Sequence, residues 1–368
     1  VSILYNEPSL PSDHPDYAQE AGVIEAVDAV EGALAEAGHL AQRSPVGGQP
    51  LDIADALRQN RADVIVNLCE WLGGVGGGES QVTGLLEMTG IPFTGSGSEC
   101  LSLVLHKART KWLLRGAGLP TAGFQYLPAV RPVAEDEVVS LLDSGPVIVK
   151  PAHEDASLGI GPESVVRDAH ALAAQIDRVR RRYGDVMVEQ FLPGREFNAG
   201  ILALPESTLL PLAEIEYQPG ASGLVSYDAK WTPGTADYGG TPVRCPAQVS
   251  EDLAAEINRV SLAAFHLTGA RDYARVDLRL DTEDRVCILE VNANPDISPS
   301  AGLARAILAS GMPYREFVRR LVETAARRSG HFTLSGPGLG KRAISRALDQ
   351  GRNCSAPPPP GLPRWSAD

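Results

Sequence analysis

The sequence is short of sulfur, of aromatic rings and of positive charge. Its five cysteines (Cys69, Cys100, Cys245, Cys287 and Cys354) are odd in number and form no C-x-x-C pair, which excludes a disulfide framework and a thiolate zinc module and fits a reducing cytosol. The seven histidines include no pair four residues apart, so the helical zinc signature is absent. Aromatic residues make up 5%. No apolar run approaches the roughly 18 residues of a membrane span. The opening VSILYNEP lacks a basic stretch followed by a long apolar one, so neither secretion nor membrane insertion is expected. Lysine and arginine number 33 against 46 acidic residues, a formal net charge of −13, and this balance opposes binding to a nucleic-acid backbone. No G-x-S-x-G elbow occurs, and GGVGGGES lacks the G-x-G-x-x-G spacing of a dinucleotide site. What is present is ordinary for folded protein: 43% hydrophobic and 21% charged residues over 368 positions, enough for two or three domains of about 150 residues each.

The periodicities arrange these residues into α/β units. Ser2–Tyr5 reads as a buried strand, and Val23, Ile24, Val27, Val30 and Leu34 recur at helical spacing until Gly38. Val64–Leu68 and Ile91–Thr94 repeat the strand signal around a helix over Ser80–Thr89, so residues 1–98 are expected to form a small parallel α/β domain. A helix over Cys100–Ala117 and the strand Val147–Lys150 open a second unit, 99–185, in which HEDASLGIGPES has the composition of a mobile flap. From Val186 the pattern is mostly strand (VMVEQF, FNAGILAL, LLPLAEIEY, ARVDLRL, VCILEVN), and helices return at Leu253–Leu267, Ser300–Ser310 and Tyr314–Arg328. This third unit spans 186–330. The remainder, 331–368, with PPPP and GPGLG, reads as a mostly disordered tail.

Chemistry concentrates on two late strands. In Arg275-Val-Asp277 and Glu290-Val-Asn292 the period of two puts each named pair on one face, and the intervening DTED turn makes the strands neighbours. Two carboxylates and an amide oxygen are hard donors of the kind that bind Mg²⁺ together with substrate phosphates. The same pattern also fits a solvated strand face with cross-strand ion pairs. Lys150 ends an apolar strand before a proline, and Lys107 lies in a helix; each suits a phosphate or, alone, a surface lysine. Glu189 and Glu196 flank the Pro193-Gly194 turn, where strand-edge backbone groups can read an adenine and a carboxylate can take ribose hydroxyls.

In series, TGIPFTGSG, HKARTKWLLRGAGLPT, VIVKPAHEDASLGI, VMVEQFLPGREF, YDAKW, RCPA and ARVDLRL…ILEVNANP resemble the ATP-grasp superfamily, and within it the D-alanine–D-alanine ligases, over about residues 1–328. That resemblance implies an α/β fold of three domains with the nucleotide held between two sheets. It implies ATP and two Mg²⁺ ions, with Mn²⁺ as the substitute metal. By it, Lys107 and Lys150 contact phosphates, Glu189 and the backbone of Gln190 and Leu192 hold adenine, and Glu196 binds ribose. Asp277, Glu290 and Asn292 hold metal. Lys230 closes on the γ-phosphate, Ser157 lies in the flap over the phosphates, and Arg275 stabilises an oxyanion. The partners implied are small amino-acid or peptide substrates and a second copy of the chain in a homodimer, in the cytoplasm, within cell-wall biogenesis.

Departures from the ligase pattern fall on the substrate side. The ligases commonly link a first-helix glutamate, a flap serine and a tyrosine after the loop lysine; here the positions read Gln19 or Glu20, Ala156 and Trp231, and alanine and indole cannot rebuild that network. Where the ligases have a glycine and a serine after the asparagine, this chain has Asp296 and Ala301, with Ser300 adjacent. An added carboxylate favours a cationic acceptor over an anionic one. The expectation is an ATP-dependent carboxylate–amine ligase, forming a peptide bond through an acyl phosphate, with altered acceptor specificity. The alternatives are a true D-alanine–D-alanine ligase and a nucleotide-binding module without turnover.

Overall fold

The structure, a computed structural model, describes residues 1–8, 17–47, 49–59, 62–72, 75–76, 78–130, 140, 142–155, 157–232 and 234–328. The expected tail lies outside these residues. The first strand, β1 (Ser2–Asn6), is buried at every position and forms the middle of a parallel sheet, with β2 (Gln42–Val46) on one side and β3 (Ile65–Leu68) on the other. Helix α1 (Tyr17–Glu36) is the crossover between β1 and β2, and α2 (Pro50–Gln59) that between β2 and β3. A short hairpin, β4 (Trp71–Leu72) with β5 (Val75–Gly76), precedes α3 (Glu79–Thr89). Ile91–Thr94, expected as a strand, contributes only one bridge, Ile65 to Phe93. Pro92 cannot donate to a ladder, which limits the pairing.

The single helix expected over Cys100–Ala117 is two, α4 (Ser98–Leu105) and α5 (Lys107–Gly116). His106, at φ −84° and ψ 87°, breaks the chain direction, and its Nδ1 accepts from the Arg109 N–H at 3.4 Å. The break frees the Lys107 N–H to bond Ala152 O at 3.0 Å, so the helix start is tied to the end of the lysine-bearing strand. Apolar periodicity runs through both helices and gives no sign of the break.

Strands β6 (Phe124–Leu127), β7 (Val147–Pro151), β8 (Val165–Val166) and β9 (Val186–Gln190) form an antiparallel sheet ordered β6-β9-β7-β8. Helix α6 (Ala169–Tyr183) covers it, burying Leu172, Ile176 and Val179 against Val147, Val149, Val186 and Val188. The sequence reading opened the third unit at Val186, but β9 pairs with β6 and β7 of this sheet. Its period suits either sheet, and only tertiary pairing decides.

The third sheet takes β10 (Glu196–Ala203), β11 (Ser207–Leu209), β12 (Ala213–Ile215), β13 (Val243–Arg244), β14 (Tyr273–Leu280) and β15 (Val286–Asn292), ordered β13-β12-β10-β14-β15 with β11 also on β10. The run LLPLAEIEY is thus two strands, interrupted around Pro211. Between β12 and β13 lie the short helices α7 (Tyr227–Trp231) and α8 (Ala236–Gly240); α9 (Glu251–Leu267) backs the sheet, and α10 (Gly302–Ala309) and α11 (Tyr314–Arg327) close the chain. Helix α11 returns to the first sheet: Phe317, Val318 and Leu321 share one core with Ile3, Val27, Val30 and Val66. Arg328 then donates to Phe93 O at 2.6 Å and to Asp272 Oδ2 at 2.8 Å, and Asp272 Oδ2 also accepts from Gly95 N at 2.8 Å. The first sheet and the last helix therefore share one core. Among the described residues no helix is long and apolar enough to cross a membrane.

Candidate active site

A cavity of about 820 Å³ is lined by residues of all three sheets and their loops. One wall is the β14–β15 hairpin, whose register sets Asp277 opposite Glu290 and Arg275 opposite Asn292, with a bulge just after Asp277. The four side chains share a face because strands alternate. Arg275 chelates Asp277 from two residues away, Nε to Oδ1 at 2.7 Å and Nη2 to Oδ2 at 2.8 Å. Asn198, across the sheet on β10, donates Nδ2 to the same Oδ1 at 2.8 Å. Sequence reasoning passed over Asn198, although its place opposite Asp277 follows once the β10–β14 register is known.

Ammonium groups pair with the carboxylates around the cavity. Lys107 at the start of α5 stands 3.1 Å from Glu290 Oε2 and 3.3 Å from Asp155 Oδ1. Burial alone would lower its pKa, but the charges of Glu290 and Asp155 raise it, and Lys107 in turn pulls Glu290 well below the carboxylate range despite its burial. Lys230, on α7, is the reverse case: burial and then the Arg275 charge lower its pKa. Glu189 was expected to face an adenine, yet its carboxylate is clamped between Lys150, at 2.6 Å, and Lys111. Lys111 was not singled out from the sequence. It is 1% exposed and also donates to Thr121 Oγ1 at 2.7 Å and Ile288 O at 3.2 Å. Its spacing of four from Lys107 in one helix was the available signal.

Asp277, Glu290 and the Asn292 amide oxygen are the hard donors Mg²⁺ takes alongside phosphate oxygens. Among the described residues no group of three or more His, Cys, Asp or Glu side chains is placed to hold a metal by itself, so a ligand would have to complete the shell. Glu290 already accommodates a cation in the form of the Lys107 ammonium, and the donor set fits the ion.

Gln190, Phe191 and Leu192 border the cavity together with Glu196. Glu196 Oε2 accepts from Tyr217 Oη at 2.6 Å and pairs with Arg279 at 3.2 Å. Two loops meet across the opening. Ser157, at φ 62°, donates Oγ to Val225 O at 2.8 Å, and Tyr227 N donates to Ile160 O at 3.1 Å. The flap serine therefore bonds the second loop. Asp237 organises that loop by accepting from Ser222 N, Ser222 Oγ and Ser226 Oγ at 2.9, 2.8 and 2.7 Å.

The remaining end of the cavity is acidic. Asp296 caps its own turn, accepting from Ser298 N at 2.7 Å and Ser298 Oγ at 2.9 Å. Glu70 borders the same space, and burial followed by the Asp296 charge pushes its pKa up to about 7. Glu79, at the start of α3, is also raised, by burial, then by Asp155 and Glu70. Ser300 is held by α1: Glu25 accepts from its N–H at 3.1 Å and its hydroxyl at 2.7 Å. The Glu20 and Trp231 side chains and Ala156 lie outside what the structure describes, and Glu25 is a first-helix glutamate that reaches the cavity-lining Ser300. Arg305, on the first turn of α10, borders the same end.

The family model described as D-ala D-ala ligase C-terminus matches residues 113–323, more than half of the chain. The uncharacterized protein y4sG of Sinorhizobium fredii is 31% identical over 250 residues, 68% of this chain and 70% of its own length. The D-alanine–D-alanine ligase of Pelotomaculum thermopropionicum is 31% identical over 311 residues, 82% of this chain and 92% of its own. The solved structure of the Bacillus anthracis D-alanine–D-alanine ligase complexed with ATP has a TM-score of 0.70 at 21% identity, covering 89% of this chain and 98% of that one, a likeness of fold. By the family match and the relatives, the chain belongs to the D-alanine–D-alanine ligase family of ATP-grasp ligases, enzymes that form a carbon–nitrogen bond.

Proposed function

We propose that the protein is an ATP-dependent carboxylate–amine ligase that joins amino acids through an acyl phosphate, and that its acceptor carries a cationic group. The supporting observation is the charge in the cleft: Lys150, Lys230 and Arg275 border it, with Lys107 paired to its Glu290, and Glu70, Glu79 and Asp296 border it as mutually interacting carboxylates. The cations suit a triphosphate and a donor carboxylate, two anions that repel each other until their charge is neutralised. Adenine would lie against the backbone of Gln190 and Leu192, and ribose against Glu196. Two Mg²⁺ ions, held by Asp277, Glu290 and Asn292, would supply charge neutralisation on the phosphate oxygens. Lys107 and Lys150 would orient the phosphates, and Lys230 would meet the γ-phosphate from the loop. Arg275, fixed by Asp277, would face the oxyanion that develops as the acceptor amine attacks the acyl phosphate, a donor worth about 3 kcal/mol in comparable sites.

The acidic end, with Arg305 at its border, suits an amino acid that has a second amino group, attacking through one amine and lodging the other near Glu70 and Asp296. The test is phosphate release from ATP with Mg²⁺, with mass spectrometry of products, using D-alanine alone and then D-alanine with diamino acids of either chirality. Product with diamino acids in preference to D-alanine is the expected result. D-alanyl-D-alanine as the main product would return the enzyme to the ordinary ligase activity. Nucleotide binding with no release across the panel would make it a module without turnover.

A further inference from the structure

Arg279 lies two residues beyond Asp277 on β14, so it faces the cleft with Arg275 and Asp277, and it is 5% exposed. Its strand partner on β10 is Glu196. The guanidinium touches three parts of the site at once. Nε donates to Gly194 O at 3.1 Å, in the turn that follows the adenine-facing segment. Nη1 donates to Gly223 O at 3.0 Å, in the loop that carries Lys230, and stands 3.2 Å from Glu196 Oε2. Its plane is flanked by the rings of Phe191 and Tyr217, with centroids at 4.9 and 5.1 Å. Phe191 belongs to the adenine-facing segment, and Tyr217 begins the loop.

We propose that Arg279 is a positioning residue that transmits nucleotide occupancy to the Lys230 loop, an inference that rests on the ATP-site reading above. One nitrogen, Nη1, serves both Glu196 and Gly223 O. Ribose hydroxyls that donate to Glu196 compete for the carboxylate, and Nη1 is then directed to the loop carbonyl. A bound nucleotide thereby strengthens the bond that holds the loop down, through a rigid group braced by two rings. A lysine cannot reproduce this, because its ammonium is a point donor and cannot span Gly194 O and Gly223 O from a planar fork.

The experiment uses the full chain and its Arg279→Lys and Arg279→Met variants, each checked for folding by circular dichroism. Tryptic cleavage after Lys230 is timed with and without a non-hydrolysable ATP analogue at saturation, alongside KM for ATP and kcat. Wild type is expected to gain protection with the analogue. Arg279→Lys is expected to keep KM near wild type through its pair with Glu196, while protection and kcat fall about tenfold, the scale of one charge-assisted hydrogen bond. Arg279→Met is expected to lose both. Variants that gain protection and turn over like wild type would overturn the inference. So would a change confined to KM, which would make Arg279 a nucleotide contact only. Failure of the wild-type protein to bind the analogue would instead refute the ATP-site reading.

Discussion

Replacing Lys111 by methionine isolates the buried charge cluster that it forms with Glu189 and Lys150. Lys111 and Glu189 are each 1% exposed, so neither side chain can recover its interactions from water. Removing one partner of a buried pair costs about 3–5 kcal/mol because the other charge stays desolvated. Thr121 Oγ1 loses its donor, while Ile288 O keeps the Thr121 hydroxyl at 2.9 Å. Lys150 remains 2.6 Å from Glu189 and offsets part of the loss, so the expected destabilisation is about 3 kcal/mol, at the low end of that range. Urea unfolding of Lys111→Met should show it, and Lys111→Met/Glu189→Gln should recover part of it, since the amide removes the stranded charge. The single variant should also draw Lys150 more tightly to Glu189 and raise KM for ATP. A single variant within about 1 kcal/mol of wild type would refute the reasoning, because only surface substitutions are that mild.

Three other outcomes are expected. Glu25→Ala removes both bonds to Ser300 and should raise the acceptor KM about tenfold, the scale of one to two net hydrogen bonds, with KM for ATP unchanged. Glu70, pushed up to about 7, is neutral below that pH and charged above it, so the KM for a diamino acid should fall as pH rises through 7. Asp296→Asn should move that inflection downward, because the Asp296 charge that helps hold the Glu70 proton is gone; an inflection that stays put would mean another group titrates. Lys107→Ala leaves Glu290 without its nearest cation and should raise KM for ATP at least tenfold, as measured by steady-state phosphate release, since a phosphate-directed ammonium is lost.

The readable parts of this molecule were those fixed by short-range periodicity. The helices Glu251–Leu267 and Tyr314–Arg327 and the strands Tyr273–Leu280 and Val286–Asn292 stand within two residues of their sequence signals, because amphipathic spacing is local. The same period of two placed Arg275 beside Asp277 and Glu290 beside Asn292, whereas Arg279 enters that face only with the structure. What stayed hidden depends on contacts between distant segments. The helix breaks at His106, where the Lys107 N–H turns to Ala152 O, β9 belongs to a sheet that periodicity cannot choose, and Glu25 meets Ser300 across 275 residues. The role of Asp296 was half legible: its charge reaches Glu70, but its oxygens are spent on Ser298.

On the proposed reading, that division accounts for a nucleotide-facing half close to the family pattern beside an acceptor half that departs from it. Cations and carboxylates around Asp277 and Glu290 are interlocked: Lys107 answers Glu290, Arg275 answers Asp277, and Lys111 and Lys150 share Glu189. Changing one member strands another buried charge, so each residue is held by its neighbours' desolvation as much as by any ligand. Around Asp296 the constraints are weaker. Its loop is closed by local turn bonds, two bonds to Glu25 and one from the Tyr314 hydroxyl to Ile297 O, and a charge there perturbs Glu70 without an ion-pair partner of its own. Substrate selectivity can change at such a position at small cost to folding, while the ammonium and carboxylate lattice around the phosphates keeps its geometry.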